Sequence, residues 1–234
     1  MKDKYFGDIN DYRKYGLIRS ILSSYKFHLL VAWMLTDEDD KDDGKFTEYL
    51  SNPKKWSRHD SELYKKLQSL ISPYNIRGIA LIEDKNINLL PDAKYFSRTL
   101  KDSCEERDSW FKKLLSSAKD SDMVFLDPDN GLEVKSKPYG RKDSSKYLYW
   151  CEVNNLWEQG KSLLIYQHFC REKRNLFIER IRRKLQETAK GSLIAAFTTP
   201  HVVFFLLLQP EHQKHYDSIV TNVQSNWGDQ IRHR

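Results

Sequence analysis

The amino-acid sequence predicts an α/β protein with a sheet of seven mostly parallel strands, helices on both faces and a C-terminal antiparallel hairpin. Two observations lead to this fold class. Five short apolar runs alternate with segments of helical periodicity, which is typical of parallel strands joined by helical crossovers. The last two apolar runs, 192–198 and 202–208, are separated only by Thr199-Pro200-His201. A connector this short permits an antiparallel hairpin and excludes a helical crossover.

The individual elements follow from periodicity and from capping residues. A helix over 8–24 has apolar residues at helical spacing and Asp8 as its N-cap. One domain is expected over 1–234, with a helical insertion at 45–75 whose helices occupy 45–51 and 60–71. The remaining helices are predicted at 105–118, 146–159, 171–189 and 211–226. The predicted strands are 28–35, 76–83, 93–100, 123–127, 162–169, 192–198 and 202–208.

Composition narrows the class of protein. The chain has 234 residues and contains no run of eighteen apolar residues, so no membrane span is expected. The charged amino terminus lacks the apolar core of a secretion signal. Three widely spaced cysteines, Cys104, Cys151 and Cys170, form no C-x-x-C pair. These features predict a cytoplasmic protein with reduced thiols.

The charge distribution permits a polyanionic partner. The formal net charge is +6, with basic residues concentrated at 171–190 and acidic residues at 37–43. Two interpretations explain the clustering of basic residues about equally well: a helix face exposed to solvent, and a surface that contacts nucleic acid. The sequence does not indicate an oligomeric state.

The most informative motif is FLDPDNGLEV, Phe125 to Val134. An apolar run ends abruptly at Asp127-Pro128-Asp129-Asn130. In open α/β sheets, ligands bind at the carboxyl edge of the strands, so these polar groups are candidate site residues. The alternative is an ordinary exit turn, since the same residue types are common turn formers.

Three other predicted strands end in polar residues at the same edge. Thr36 follows the first strand, Glu83 ends the second, and His168 ends the strand over 162–169. His168 can serve as a general base or contact a phosphate, and a structural histidine is the competing interpretation. His201 lies in the hairpin turn, where it caps the turn or reaches the site. Motifs of serine hydrolases, P-loop proteins, zinc proteases and dinucleotide oxidoreductases are absent from the sequence.

Several segments together resemble a known family. Residues 7–15, Gly-Asp-Ile-Asn-Asp-Tyr-Arg-Lys-Tyr, are similar to the pattern G-N-x-A-D-V-L-K-H, and Thr47-Glu48-Tyr49-Leu50 is similar to G-E-Y-L. With the D-P at 127–128, these motifs occur in the order found in the bacterial methyltransferase of a large-subunit ribosomal RNA adenine. The resemblance implies a Rossmann-like fold, S-adenosylmethionine (AdoMet) as cofactor, and nucleic acid, RNA more than DNA, as partner.

The resemblance also implies residue roles. Asp127 would hold the amine of a nucleic-acid base, with Pro128, Asp129 and Asn130 beside it. Glu83 would accept hydrogen bonds from the cofactor ribose, and Thr36 would border the cofactor. Asp11 and Lys14 on the first helix would close over cofactor or substrate, and His168 would join the catalytic residues from the same edge.

The chain departs from the family pattern at two places. The family's D-P-P-Y is here D-P-D-N, so Asn130 replaces the aromatic ring that stacks on the base. The loop after the first strand, TDEDDKDDG, has a single glycine, Gly44, where the family's loop is glycine-rich. A catalytically silent nucleic-acid-binding member of the fold is therefore one alternative.

A metal-dependent nuclease or phosphodiesterase is the other alternative. Asp127, Asp129 and Glu133 could bind Mg²⁺ or Mn²⁺ beside Lys135, since carboxylates near a lysine suit phosphodiester hydrolysis. Glu133-Val134-Lys135 is similar to the E-x-K half of a common nuclease pattern. The other half of that pattern normally lies on a separate strand, whereas here it lies only a few residues upstream.

Overall fold

The computed structural model describes residues 6–37, 46–71 and 78–234. Within these ranges the chain is an α/β protein with a seven-stranded mixed sheet and a separate two-stranded sheet. The helices are α1 (Ile9–Ser24), α2 (Pro53–Trp56), α3 (Ser61–Ile71), α4 (Ala80–Glu83), α5 (Cys104–Ser117), α6 (Trp150–Glu158), α7 (Arg174–Thr188) and α8 (Tyr216–Trp227). The strands are β1 (Leu29–Ala32), β2 (Lys94–Phe96), β3 (Met123–Leu126), β4 (Gly131–Leu132), β5 (Tyr147–Leu148), β6 (Ser162–His168), β7 (Leu193–Thr198), β8 (Val202–Leu208) and β9 (Arg232–His233). Short 3-10 helices occupy Glu48–Ser51, Ser144–Lys146 and Pro210–His215.

The large sheet has the strand order β2-β1-β3-β6-β8-β7-β9. Strands β2, β1, β3 and β6 are parallel, whereas β8 runs antiparallel to both of its neighbours, β6 and β7. The predicted hairpin of 192–198 and 202–208 is therefore confirmed. Because β1, β3 and β6 are parallel, their carboxyl ends lie along one edge of the sheet.

Helices cover both faces of the sheet, because successive strand residues point to opposite sides. On one face, Leu29, Val31 and Phe125 pack with residues of α1, α3 and α8. On the other face, Leu30, Val124 and the residues beside them pack with α5, α6 and α7. The helix predicted over 8–24 is confirmed, with Asp8 as its N-cap, because the Asp8 carboxylate accepts a 2.6 Å hydrogen bond from Asn10 N.

The strand predicted over 76–83 is wrong in its described part. Residues 78–83 form a turn and the short helix α4, with Ile82 N bonded to Ile79 O at 2.8 Å. Ile79 and Ile82, three positions apart, are both buried, so one helical face enters the core. Residues 76–77 and the acidic loop at 38–45, including Gly44, lie outside the described residues. The seventh strand of the sheet is instead β9, which has no apolar pattern.

The helix predicted over 146–159 starts later than expected. Tyr147 and Leu148 form β5, which pairs with β4 directly after the D-P-D-N motif. A buried ion pair fixes this segment: Arg107 Nε and Nη2 each donate a 2.8 Å hydrogen bond to the Glu152 carboxylate. The same guanidinium donates to the carbonyls of Ser144 and Tyr147. The chain that follows β3 is thereby tied to α5 and α6.

No helix in the described ranges combines the length and the apolar character needed to cross a membrane.

Candidate active site at the carboxyl edge of the sheet

Asp127 lies at the centre of the candidate site. It follows β3, the strand between β1 and β6, and its backbone N donates to Ala32 O at 3.1 Å. Asp127 is only 2% exposed to solvent. A carboxylate that is buried this deeply needs a compensating partner.

That partner comes from α1. Lys14 Nζ lies 2.8 Å from Asp127 Oδ2 and 3.0 Å from Asp11 Oδ1, and all three side chains are buried. The second oxygen of Asp11 accepts hydrogen bonds from Gly7 N at 3.1 Å and from the Tyr15 hydroxyl at 2.9 Å. Three residues that the sequence singled out separately therefore form one cluster. We call Asp11, Lys14 and Asp127 the buried triad.

Burial and charge compete inside this cluster. Burial raises the pKa of Asp127 from its ordinary value, and the Lys14 ammonium opposes that rise. Burial alone would lower the pKa of Lys14, but the carboxylates of Asp11 and Asp127 raise it above its ordinary value. Burial, with repulsion from Asp11, also raises the pKa of Asp8 to about 6. Lys14 is accordingly a cation at neutral pH.

Strand β6 connects the buried triad to His168. The Lys14 ammonium lies 5.3 Å from the centre of the Tyr166 ring, a cation–π distance. The Tyr166 hydroxyl in turn lies 2.9 Å from His168 Nε2. Desolvation, followed by repulsion from Lys14, lowers the pKa of His168. The imidazole is therefore mainly neutral at pH 7 and able to accept a proton.

The rest of the D-P-D-N segment is held by neighbouring loops. Asp129 Oδ2 accepts a 2.8 Å hydrogen bond from the Thr36 hydroxyl, so the loops after β1 and β3 are joined. Asn130 is bound through its backbone: its N donates to Lys146 O at 3.0 Å, and its O accepts from Gln167 Nε2 at 3.3 Å. Pro128 lies between Asp127 and Asp129 in this exit from the sheet. The structure thus brings Thr36, Asp129 and Asn130 to the edge where the sequence predicted them.

Glu83 lies apart from the buried triad. It is the last residue of α4 and not of a strand, which corrects its predicted placement. Its Oε1 accepts hydrogen bonds from Trp33 Nε1, at 3.2 Å, and from the Ser97 hydroxyl. Trp33 follows β1 and Ser97 follows β2, so Glu83 still lies beside the carboxyl ends of these two strands.

The carboxylates proposed for a metal are dispersed by their contacts. Glu133 Oε2 accepts a 2.8 Å hydrogen bond from Trp150 N, so it caps the start of α6. Asp127 contacts Lys14, and Asp129 contacts Thr36. Among the residues in 6–37, 46–71 and 78–234, no group of three His, Cys, Asp or Glu side chains is arranged to hold a metal ion.

A large cleft opens beside the edge, between α1, the segment 46–56 and the β7–β8 turn. Its volume is about 880 Å³, and His168 and His201 are in its lining. Three cations and several aromatic rings also line it, together with the Glu48 carboxylate. We call this the basic–aromatic cleft. The cations are Arg13, Lys55 and Arg174, and the rings include Phe46, Trp56 and Phe169.

Two cations lie against one ring of the cleft. Arg13 Cζ lies 5.7 Å, and Lys55 Nζ 5.1 Å, from the centre of the Trp56 ring. Arg13 is also held by Gln230, whose Oε1 accepts from Arg13 Nη2 at 2.9 Å. Sequence reasoning missed Arg13, Lys55 and Trp56 as site residues. Two lysines directly precede Trp56 in the sequence, and this combination of basic and aromatic residues was the pattern that could have indicated the site.

The segment 139–149, in which aromatic and basic residues interleave, packs around Arg107. The Tyr139 and Tyr149 rings lie 5.2 and 4.6 Å from Arg107 Cζ. Lys146 pairs with Asp143 at 3.0 Å. These rings stabilise a buried guanidinium and so belong to the packing around the Arg107–Glu152 ion pair.

The comparison with solved structures gives distant likenesses. No protein-family model matches the chain, and no curated protein matches it. A crystal structure of a Legionella pneumophila protein assigned to the family DUF519 is similar, with 14% sequence identity and a TM-score of 0.43. The alignment covers 98% of this chain and 96% of that protein. A TM-score of this size establishes neither a shared fold nor a shared function.

Proposed function

We propose that this chain is a Rossmann-like, AdoMet-dependent methyltransferase that acts on an amine of a nucleic-acid base. One observation carries the proposal: Asp127 lies buried at the carboxyl end of a central parallel strand, and His168, at the end of the adjacent parallel strand, lines a large cleft together with cations and aromatic rings. Four parallel strands with a later antiparallel hairpin also agree with the seven-stranded sheet of that class.

The residues at the edge suit the cofactor. Both hydrogen bonds to Glu83 use Oε1, so Oε2 is the acceptor that a ribose hydroxyl would meet. Asp129 and Thr36 border the same edge from the loops after β3 and β1. Carboxylates also complement the positive sulfonium of AdoMet. When bound, AdoMet supplies the methyl group.

Each remaining role belongs to a side chain of this protein. Asp127 accepts a hydrogen bond from the target amine and orients its nitrogen. Lys14 opposes the rise in the pKa of Asp127 that burial causes, and so favours the ionised form of this acceptor. His168, neutral and in the lining of the cleft, is placed to take the proton that the methylated amine releases.

A silent binding protein is the second candidate, and the contacts of the edge favour it. Asp127 is engaged by Lys14, Asp129 by Thr36, and Asp11 by three donors. Carboxylates that already have partners within the protein can serve only to stabilise the fold. The cleft would then be the part of the protein that binds a ligand. The two candidates differ in one respect: only the enzyme needs AdoMet.

The test is a calorimetric titration with AdoMet, with and without Mg²⁺ or Mn²⁺, followed by activity assays of two variants. We expect metal-independent AdoMet binding. Asp127→Asn should lower methyl transfer about tenfold, because the amide oxygen still accepts a hydrogen bond but carries no charge. Asp129→Ala should lower it less, because Asp129 only borders the site.

The same variants separate the alternatives. Cleavage of RNA or DNA that requires Mg²⁺ or Mn²⁺, and that both variants abolish, would establish the nuclease with Asp127, Asp129 and Glu133 as ligands. A wild-type protein that neither binds AdoMet nor cleaves nucleic acid would favour the silent binding protein.

A further inference from the structure

A second cavity adjoins the basic–aromatic cleft. It has a volume of about 310 Å³, and it shares Phe169, Arg174 and Pro200 with the cleft. Arg232 and Arg234 also line it, and neither is in the lining of the cleft. We call it the arginine cavity. The three shared residues place the two cavities side by side on the surface, and we call the two together the groove.

The arginine cavity carries net positive charge. Three of its residues, Arg174, Arg232 and Arg234, are cations. The carboxylate in its lining, Asp229, is paired with Arg58 outside the cavity. The charge of Asp229 is therefore offset locally, and a phosphate entering the cavity meets an excess of guanidinium groups.

The guanidinium shared by both cavities is held in place. Arg174 Nη2 donates a 2.5 Å hydrogen bond to Pro200 O, and its Cζ lies 5.0 Å from the centre of the Phe169 ring. Arg232 is fixed at its backbone, since β9 pairs it with Thr198 of β7. The Arg174 side chain, anchored in this way, loses less conformational entropy when it binds an anion.

The cleft side of the groove suits an unpaired base. Trp56 is partly exposed, and the Phe46 residue is 62% exposed. Exposed rings beside cations bind bases by stacking, which requires that the base be free of its complementary strand. One end of the groove thus favours a π-face and the other end favours a phosphate.

We propose that the groove binds one single-stranded nucleic acid, with a base in the basic–aromatic cleft and a flanking phosphate in the arginine cavity. This inference rests on the proposed function, because it specifies how the nucleic-acid substrate of that site is held. Arg174 contacts the strand at the junction of the two cavities. Arg232 and Arg234 contact the phosphate outside the cleft.

Fluorescence anisotropy with a labelled 12-nucleotide single-stranded RNA tests the groove as a function of salt. Each phosphate contact on a single strand contributes a slope of about −0.7 in log K against log salt. Arg174→Ala and Arg232→Ala should each weaken binding and reduce the slope by about that amount. Arg183→Ala is the matched control, because Arg183 is exposed on the same helix as Arg174 and lies outside both linings. It should leave the slope unchanged.

The base contact is tested separately by Trp56→Leu and Phe46→Ser. Each should weaken binding about fivefold or more with an unchanged salt slope, since stacking is not ionic. Phe46→Ser keeps the test valid if Trp56→Leu disturbs folding, because Phe46 is exposed. Tighter binding of a duplex RNA than of the single strand would overturn the proposal. Displacement of the RNA by polyglutamate at equal charge concentration would also overturn it.

Failure of this inference is distinguishable from failure of the proposed function. Wild-type binding that depends on Arg174 and Arg232, without methyl transfer, supports the groove and rejects the enzyme. Suppose instead that the protein transfers methyl groups, but that Arg174→Ala and Arg232→Ala bind RNA as tightly as Arg183→Ala does. This result rejects the groove and leaves the proposed function standing. No binding of single-stranded RNA or DNA by the wild type also rejects the groove.

Discussion

At the scale of single residues, Lys14 determines the candidate site. It brings a positive charge within 3.0 Å of one buried carboxylate and 2.8 Å of another. The sequence indicated that Lys14 and Asp127 were both important, but 113 positions separate them, and no local pattern reveals that they touch. Arg107 and Glu152, which no pattern singled out, form a comparable buried pair. Contacts between distant residues depend on the assembled sheet, so the sequence indicated residues that lie at this edge but not which of them touch.

Asp8 gives a prediction for pH dependence. Its ordinary pKa is 3.8, and in the folded chain it is about 6. Between these values the folded state binds more protons than the unfolded state, so the contribution of Asp8 to stability falls as pH rises through this window. Asp8→Asn retains an N-cap oxygen and does not titrate. The free energy of unfolding of wild type relative to Asp8→Asn should therefore fall by about 2–3 kcal/mol between pH 4 and pH 7.

Urea unfolding at several pH values between 4 and 7 measures this difference. Asp120→Asn, at an exposed position, is the control and should show little such change. A difference between wild type and Asp8→Asn that stays constant or rises with pH would contradict the prediction.

At the scale of elements, apolar periodicity located most of the fold. It identified α1, β1, β3, β6 and the hairpin of β7 and β8, because each has a long or clearly bounded apolar pattern. It failed at 78–83, where a short apolar run suits a buried helical turn as well as a strand. It also missed β9, whose two residues, Arg232 and His233, are polar and pair with β7 through backbone bonds. The conformations of 78–83 and of β9 depend on the structure around them and not on their local composition.

The packing of α1 against α8 gives a prediction about Gly16. A Cβ atom at this position would lie 2.0 Å from Cζ2 of Trp227, a ring that is almost fully buried. In an unobstructed helix, Gly→Ala stabilises by about 0.5–1 kcal/mol. Here the conflict with the ring should reverse the sign, and Gly16→Ala should destabilise by about 1–3 kcal/mol. Urea unfolding measures the change.

A double-mutant cycle supplies the control for Gly16. In a Trp227→Leu background the ring is absent, so the added methyl group of Gly16→Ala should become neutral or stabilising. An equal cost of Gly16→Ala in both backgrounds would show that the ring is not the cause.

At the scale of the whole molecule, the mixed sheet protects its edges and its centre differently. The outer strands, β2 and β9, have only three and two residues, and short edge strands discourage pairing with other chains. Strand β8 lies inside the sheet, bonded to β6 and β7, and all seven of its residues are buried. Its sequence, VVFFLLL, has no charge and no proline.

Such a segment is expected to self-associate when it is uncovered. An isolated peptide of residues 202–208 should form fibrils that bind an amyloid dye, and the same peptide with Phe205→Lys should not, because the charge opposes stacking. Thermal unfolding of the intact protein should likewise be irreversible and depend on scan rate. A soluble, unordered wild-type peptide together with fully reversible unfolding would contradict this expectation.

The position of β8 in the sheet also bears on how the chain is made. Both of its partner strands, β6 and β7, precede it in the sequence, although it lies between them in space. A chain synthesised from its amino terminus therefore has both neighbours available before β8 leaves the ribosome. This apolar strand therefore emerges last among the three, when both of its partners are already available to pair with it. A chain that refolds from denaturant has no such order, so biosynthesis should yield more native protein than refolding does.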